Sequence, residues 1–282
     1  MHSVPSRFVT PNLPTPTVSI VIPARNEARN LAEVLPRLPQ VHEVILVDGG
    51  STDGTIEAAR AALPGIVVVQ QSRTGKGNAL ACGFAAATGS IIVMFDADGS
   101  ADPREIPRFV SALVAGADVA KGSRFLPGGG SEDITRVRSA GNWMLTLVSN
   151  VLFRRRYTDL CYGYNAFWRS ILPTLRLPEV ALERPAGGRM LWGDGFEIET
   201  VLACRMAAAN LRVTEVPSTE LSRIHGASNL NAITDGLRVL RTLLSEARAA
   251  TPLPRVLRFP ERFERPFRAR TVAAEQAIEE AA

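Results

Sequence analysis

Cysteine is scarce in this chain: Cys82, Cys161 and Cys204 are odd in number, far apart and without a CxxC spacing. That argues against a disulfide framework or a cysteine-ligated zinc, and for a reducing, cytoplasmic setting. Long hydrophobic runs are missing as well. No segment approaches the ~20 apolar residues that a membrane span needs. The longest candidate, residues 143–153, is interrupted by Thr146, Ser149 and Asn150. A secretory signal needs an apolar stretch where this chain carries Pro5, Pro11, Pro14 and Pro16. The expectation is a protein that is cytoplasmic and at most peripheral at the cytoplasmic membrane face. Acidic residues are outnumbered, 28 to 32, for a formal charge of +4. The excess suits anionic partners, but no nucleic-acid-binding motif accompanies it, so nucleic acid is not expected.

What is present is a regular alternation of apolar strands and helical segments. Strands are expected at 18–22, stopped by Pro23, and at 44–47, 66–69, 91–95 and 118–121. Helices are expected between them, at 30–38, 55–62, 77–88 and 103–115. This order predicts an α/β fold with a mostly parallel central sheet flanked by helices. The second half alternates less regularly: a Gly-rich loop, a helix over 142–153, another over 195–210, a strand near 212–216 and a helix over 232–250. Tyr162, Tyr164, Phe167 and Trp168 read as core. Residues 1–16 and 251–282 read as tails around one domain at 17–250, its two halves meeting near 125.

Three polar clusters follow strand ends: Arg25-Asn26-Glu27, Asp48 to Asp53, and Asp96-Ala97-Asp98. In parallel sheets ligands bind beyond those ends. Two carboxylates at i and i+2 after an apolar strand can face one cavity, and magnesium or manganese accepts such ligands while leaving positions for diphosphate oxygens. A turn of solvated aspartates is the alternative, which the preceding Ile-Ile-Val-Met-Phe strand disfavours. Asp53 can equally cap the next helix. Lys76, between Gly75 and Gly77, can serve the same pocket, although no Walker spacing is present.

Taken in order, Val21-Ile22-Pro23-Ala24-Arg25-Asn26-Glu27, Asp48-Gly-Gly-Ser-Thr-Asp53, Gly75-Lys76-Gly77 and Asp96-Ala97-Asp98-Gly99 resemble family 2 glycosyltransferases of the GT-A (Rossmann-like nucleotide-diphospho-sugar transferase) fold. Gly122-Ser123-Arg124, Asp159-x-x-x-Gly163, Phe196-Glu197-Ile198-Glu199, Glu215-Val216-Pro217 and Arg223-x-x-Gly226-x-Ser228 extend the likeness to the dolichol- and polyprenyl-phosphate sugar transferases. The resemblance covers about residues 18–230. It implies an inverting, metal-dependent transfer of a hexose from a UDP- or GDP-sugar, with Mg2+ or Mn2+, to a phosphorylated acceptor, most simply a lipid-linked polyprenyl phosphate. It implies donor contacts from Pro23, Ala24, Arg25, Glu27, Asp48, Asp53, Lys76, Asp96, Ala97 and Asp98, the metal falling to Asp96 and Asp98. Arg124, Arg138 and Arg223 would clasp the acceptor phosphate, for which an arginine fork is well shaped.

The chain departs from the family pattern at Arg25, where an aromatic residue is common, at Ser100, where glutamine is common, and at Asn229, where lysine is common. A hydroxyl acceptor would need a base, and Asp159 and Asp194 are the candidates. His225 is the one histidine near the acceptor arginines. Of Glu197 and Glu199, which cannot share a helical face, one is expected to point into the cavity and the other into solvent. Trp192 reads either as part of an acceptor loop or as a packed aromatic. The helix over 142–153, followed by Arg154-Arg155-Arg156, fits either an anionic membrane surface or a core helix with a charged end. A nucleotidylyltransferase would place a Gly-rich basic loop after the first strand, which this chain lacks. A degenerate nucleotide-sugar-binding protein is disfavoured by the intact pair of aspartates.

Overall fold

The computed structural model describes residues 15–185, 190–226 and 232–250. Most of both expected tails, and Ser228 and Asn229, lie outside the described residues. The strands are β1 (Val18–Ala24), β2 (Glu43–Asp48), β3 (Val67–Gln70), β4 (Ile91–Met94), β5 (Val119–Ser123), β6 (Gly130–Ser131), β7 (Asn165–Trp168), β8 (Val213–Pro217) and β9 (Thr219–Glu220). The helices are α1 (Ala28–Val34), α2 (Thr55–Ala62), α3 (Lys76–Ala86), α4 (Ile106–Val114), α5 (Arg136–Phe153), α6 (Leu172–Leu175), α7 (Ile198–Ala208) and α8 (Ala232–Ala249). Seven strands form one sheet in the order β3-β2-β1-β4-β7-β5-β8.

The central strands are apolar in both phases of the pleat, and both faces are covered. Ile20, Ile22 and Leu46 pack with Leu31 of α1, Ala59 of α2 and Phe109 of α4. Val21, Ile45 and Val47 pack on the opposite face with Leu80 and Phe84 of α3 and with Ile198 and Leu202 of α7. Fully burying one such side chain contributes about 1.5–3 kcal/mol, so neither phase can be turned to water. This is the layered arrangement expected of parallel βα units. A smaller cluster of Leu145, Leu160, Cys204 and Leu243 ties α5, α7 and α8 together. Among the described residues no helix is long and apolar enough to cross a membrane.

Several boundaries differ from expectation. β1 continues through Pro23 to Ala24. The Val21 carbonyl accepts from the Phe95 amide, and Pro23 faces the same neighbour two residues on, where β4 has ended, so its missing N–H breaks no ladder bond. β7 was not anticipated as a strand, and it runs antiparallel to both β4 and β5. Its residues are those read as core: Phe167 is fully buried and meets Phe84 edge-on at 5.3 Å. Helix α5 starts at Arg136, ahead of the expected Asn142, because Thr135 caps it by accepting from the Arg138 amide at 3.3 Å. The Pro103–Glu105 turn is 3-10 and leads into α4 at Ile106.

Candidate active site

The turns that follow β1 and β2 are stitched to each other. Asn26 stands at φ 58°; its amide donates to Ser51 Oγ at 2.9 Å, and its Oδ1 accepts from the Thr52 amide at 2.9 Å. The Glu27 amide donates to Thr55 Oγ1 at 2.9 Å, and the Ala28 amide to Asp53 Oδ2 at 3.1 Å. Asp53 Oδ1 accepts from the Thr55 amide at 3.0 Å. Asp53 therefore braces the starts of both α1 and α2, while the N-cap position of α2 is Gly54, without a side-chain cap. Burial alone would push the Asp53 carboxyl up, but its hydrogen bonds outweigh this and hold it below the ordinary aspartate value. The buried Asp48 carboxylate accepts from the amides of Gly50 at 2.9 Å and Ser51 at 3.2 Å. Glu27 lies close enough to Asp98 and Arg223 to feel their charges. Burial pushes its carboxyl up, the Asn30 amide pulls it back, and Asp98 adds a smaller upward push.

Beyond β4 the chain turns through Asp96, Ala97 and Asp98. Ala97 is buried in the core. Asp98 is also buried; its Oδ1 accepts from Ser100 N and Oγ at 3.0 and 2.6 Å, and its Oδ2 faces Arg223 Nη1 at 3.1 Å. Ser100, the departure noted above, thus orients Asp98. Asp96 receives Lys76 Nζ at 2.8 Å, and the same ammonium reaches Glu199 at 2.8 Å. Desolvation pulls the Lys76 ammonium toward neutrality, but the two carboxylates overcome it and hold it firmly charged. The flanking glycines have a packing reason. A Cβ on Gly75 or Gly77 would collide with the backbone of Gly193 and Asp194, so only glycine lets the start of α3 abut that turn and carry Lys76 between the carboxylates.

A cavity of about 450 Å³ gathers the predicted groups: Lys76, Asp96 and Asp98 with Arg124, Arg138 and Arg223. Its remaining lining is largely apolar, with Ile134, Val137, Met144 and Leu145 facing Leu237 and Leu240. Arg124 is the most constrained of the arginines. Its Nε and Nη2 donate to Asp159 at 2.7 and 3.0 Å, its Nη1 donates to Glu220 at 3.0 Å, and its guanidinium lies 5.0 Å from the Tyr162 ring centroid. Arg138 is half-buried and meets Asp133 at 3.2 Å. The first-half residues Pro23, Ala24, Arg25, Glu27, Asp48 and Asp53 do not line this cavity; they form the stitched turns at the same sheet edge.

Three expectations are revised by these positions. Asp159 and Asp194, the two candidate bases, do not line the cavity and are fully buried. Each is bidentate to an arginine, Asp194 to Arg73 at 2.7 and 3.0 Å, and with no surface open to the cavity neither can reach a substrate proton. Burial raises the Asp159 carboxyl, but Arg124 more than compensates and holds it below the ordinary range. His225 points away from the cavity: its backbone clasps Asn30, and its ring meets Glu33 at 3.1 Å. Glu199 is the carboxylate that faces the cavity, as anticipated for one of the pair. Glu197 is half-buried and tied to the backbone, accepting from the amides of Gly193 and Gly195 at 3.0 and 3.2 Å. Trp192 is held by Glu246 of α8 at 2.8 Å. The role of Glu199 as second partner to Lys76 was missed, because it joins residues more than a hundred positions apart.

Among the described residues no group of three or more ligating side chains could hold a metal alone. The donor set nevertheless fits a magnesium- or manganese-type ion shared with a substrate. Such ions are commonly held by one or two carboxylates plus phosphate oxygens, and Asp96 and Asp98 are two hard-oxygen donors on one turn.

Residues 19–175 match the model of Glycosyl transferase family 2. The chain is 34% identical over 230 residues to a polyprenol monophosphomannose synthase of Mycolicibacterium smegmatis, covering 77% of this chain and 82% of the relative. It is 32% identical to the glycosyltransferase AglJ of Haloferax volcanii, over 86% of this chain and 76% of the relative. Among solved structures it is similar to glucosyl-3-phosphoglycerate synthase from Mycobacterium tuberculosis in complex with Mn2+, uridine diphosphate and glucosyl-3-phosphoglycerate. That likeness has 26% identity and a TM-score of 0.61, covering 83% of this chain and 80% of that one. The same enzyme bound to Mg2+ and uridine diphosphate aligns with a TM-score of 0.63 and 25% identity, over 83% of this chain and 80% of that chain. The sheet and its flanking helices are the GT-A fold.

Proposed function

The chain belongs to glycosyltransferase family 2, and from that premise we propose that it moves a hexose from a UDP- or GDP-sugar onto a polyprenyl phosphate, with inversion and with Mg2+ or Mn2+. The observation that carries this reading is the cavity itself, which joins the Asp96 and Asp98 carboxylates, four arginines including Arg124, Arg138 and Arg223, and an apolar lining. In this reading residues 17–125 serve the donor and residues 126–250 the acceptor. Glu199 crosses that line to reach Lys76. Pro23, Ala24, Arg25, Glu27, Asp48 and Asp53 surround the nucleoside.

The chemistry follows from the charges. A phosphate oxygen of the acceptor attacks the anomeric carbon while the bond from that carbon to the diphosphate oxygen breaks. The nucleoside diphosphate leaves with the electron pair. A phosphate nucleophile is already anionic, so no base is required. The burial of Asp159 and Asp194 under guanidinium groups supports an acceptor of this kind over a hydroxyl. Arg138 and Arg223 hold the acceptor phosphate in line with the donor, with Arg124 as the fixed wall behind them. When bound, the metal supplies charge neutralisation on the departing diphosphate, and Asp96 and Asp98 are the residues that would hold it. Lys76 adds a fixed positive charge on the same side.

A second reading is a small phosphorylated acceptor, since one solved relative is bound to glucosyl-3-phosphoglycerate. The apolar lining favours the lipid. Purified chain would be incubated with labelled UDP- and GDP-hexoses and Mn2+, with either undecaprenyl phosphate in detergent or 3-phosphoglycerate. Label extracted into organic solvent with undecaprenyl phosphate is the expected result. Transfer to 3-phosphoglycerate alone would overturn the lipid reading.

A further inference from the structure

Helix α5 does not bury its outer face. Arg136, Val137, Ala140, Trp143, Met144, Leu147 and Val151 are all exposed, and their spacing of three, four or fewer residues puts them on one side of the helix, with exposed Arg154 as its C-cap. The exposure is high for large apolar groups: 70% for Val137, 67% for Trp143 and 70% for Val151. Scattered apolar residues are normal on a surface, but a contiguous stripe marks an interaction face. The core alternative for this helix therefore holds only for its inner side, where Leu145, Thr146 and Ser149 are buried.

The charges around the stripe select the partner. No aspartate or glutamate occurs between Arg136 and Arg156. Arg136, Arg154 and Arg156 are exposed and make no ion pair among the described residues, whereas Arg155 is held by the Ala207 carbonyl and Asn210. Alongside, α8 presents Leu237 and Leu244 with Arg241 and Arg248, and the two helices pack through Leu145 and Leu243. The cavity opens onto this same face, since Val137 and Met144 both line it and are exposed to solvent.

We propose that the outer face of α5, with the adjoining Leu and Arg residues of α8, seats the protein on an anionic phospholipid bilayer. An apolar stripe with a tryptophan beds into the interface while flanking arginines meet lipid phosphates. The proposal rests on the polyprenyl-phosphate reading for one point only, that the cavity mouth then faces the leaflet from which such an acceptor comes.

Flotation of the full chain with phosphatidylcholine vesicles, with and without phosphatidylglycerol, tests this. Three unpaired arginines predict affinity about a hundredfold higher for the anionic vesicles, lost at high salt. A Trp143→Ser, Leu147→Ser variant should keep its melting temperature and its turnover of a short, water-soluble prenyl phosphate, yet lose vesicle binding by about tenfold or more. Wild-type protein that ignores anionic vesicles overturns the proposal. So does a variant that binds them as well as wild type. A concentration-dependent dimer that the double variant dissolves, without vesicle binding, would assign the face to a second copy instead. Vesicle binding without transfer to vesicle-embedded undecaprenyl phosphate would keep this surface and sink the acceptor reading.

Discussion

The two sides of the candidate site hold their charged groups by different means. Around the turns after β1 and β2, Asp48 and Asp53 are fixed mainly by backbone amides within a few residues or on the neighbouring turn. Around the cavity and the 193–194 turn, carboxylates are fixed by guanidinium groups brought from distant positions: Arg124 with Asp159 and Glu220, and Arg73 with Asp194. The first arrangement meets its carboxylates with hydrogen-bond donors instead of cations and keeps the turns rigid. The second concentrates positive charge while neutralising most of it, leaving Arg138 and Arg223 as the less constrained arginines. Between them stand Asp96 and Asp98, which ion-pair with Lys76 and Arg223 respectively.

The largest effect expected concerns the junction. Asp98→Ala removes one of the two carboxylates proposed to hold the metal, and transfer should fall by about a thousandfold, equivalent to ~4 kcal/mol of transition-state stabilisation. Circular dichroism should show an unchanged fold. Near-normal kcat/KM in the folded variant would remove the metal assignment.

The next effect separates structural from catalytic carboxylates. Asp159→Asn leaves Arg124 without its bidentate partner, and breaking a buried pair from one side costs about 3 kcal/mol or more. Because Arg124 holds the Asp159 carboxyl below its ordinary value, its stabilising contribution is present above the unfolded value of about 4 and is lost as pH falls through the lower native one. Urea unfolding of wild type and variant should therefore differ at neutral pH and converge in acid. A variant as stable as wild type but with a collapsed kcat and an altered pH profile would restore Asp159 as a base.

How much was legible in advance follows the same division. The strand ends, the Asp48 to Asp53 turn and the aspartate pair at 96 and 98 are local: an apolar run followed by glycine and carboxylates already states the geometry. β7 was not legible, since Asn165-Ala-Phe-Trp is too short and aromatic to distinguish a strand from core loop, and its antiparallel pairing is decided by β4 and β5. Nor were the fates of Asp159 and Asp194. An aspartate near a glycine looks like a base until the arginine that covers it, 35 or 121 residues away, is known. Lys76 was legible as a pocket residue, but not the reason for the glycines beside it, which is the close approach of Gly75 and Gly77 to the 193–194 backbone.

Lys76 is a smaller test of the junction. Its ammonium occupies the space between Asp96 and Glu199, so a divalent ion arriving without a nucleotide has to compete with it. Lys76→Met should tighten Mn2+ binding in the absence of nucleotide by about tenfold, or ~1.4 kcal/mol, read by titration calorimetry. The same change should weaken UDP binding if Lys76 meets the diphosphate as proposed. Unchanged metal affinity would mean that the ammonium moves aside freely and does not compete.

Arg138 gives the smallest and most selective effect. Its one ion pair among the described residues, with Asp133, is long at 3.2 Å, and both side chains are partly exposed, so its loss should shift the melting temperature little. Its guanidinium nevertheless lines the cavity with Arg124 and Arg223, and a charged hydrogen bond to phosphate contributes about 1.5–3 kcal/mol. Arg138→Ala should therefore raise the acceptor KM by about tenfold or more while leaving donor KM and stability near wild type. Arg138→Lys should recover only part of the loss, since a lysine supplies the charge without the fork. Equal rises in donor and acceptor KM would place Arg138 on the diphosphate, and the contrast between the two sides of the site would then have to be redrawn one residue closer to the acceptor.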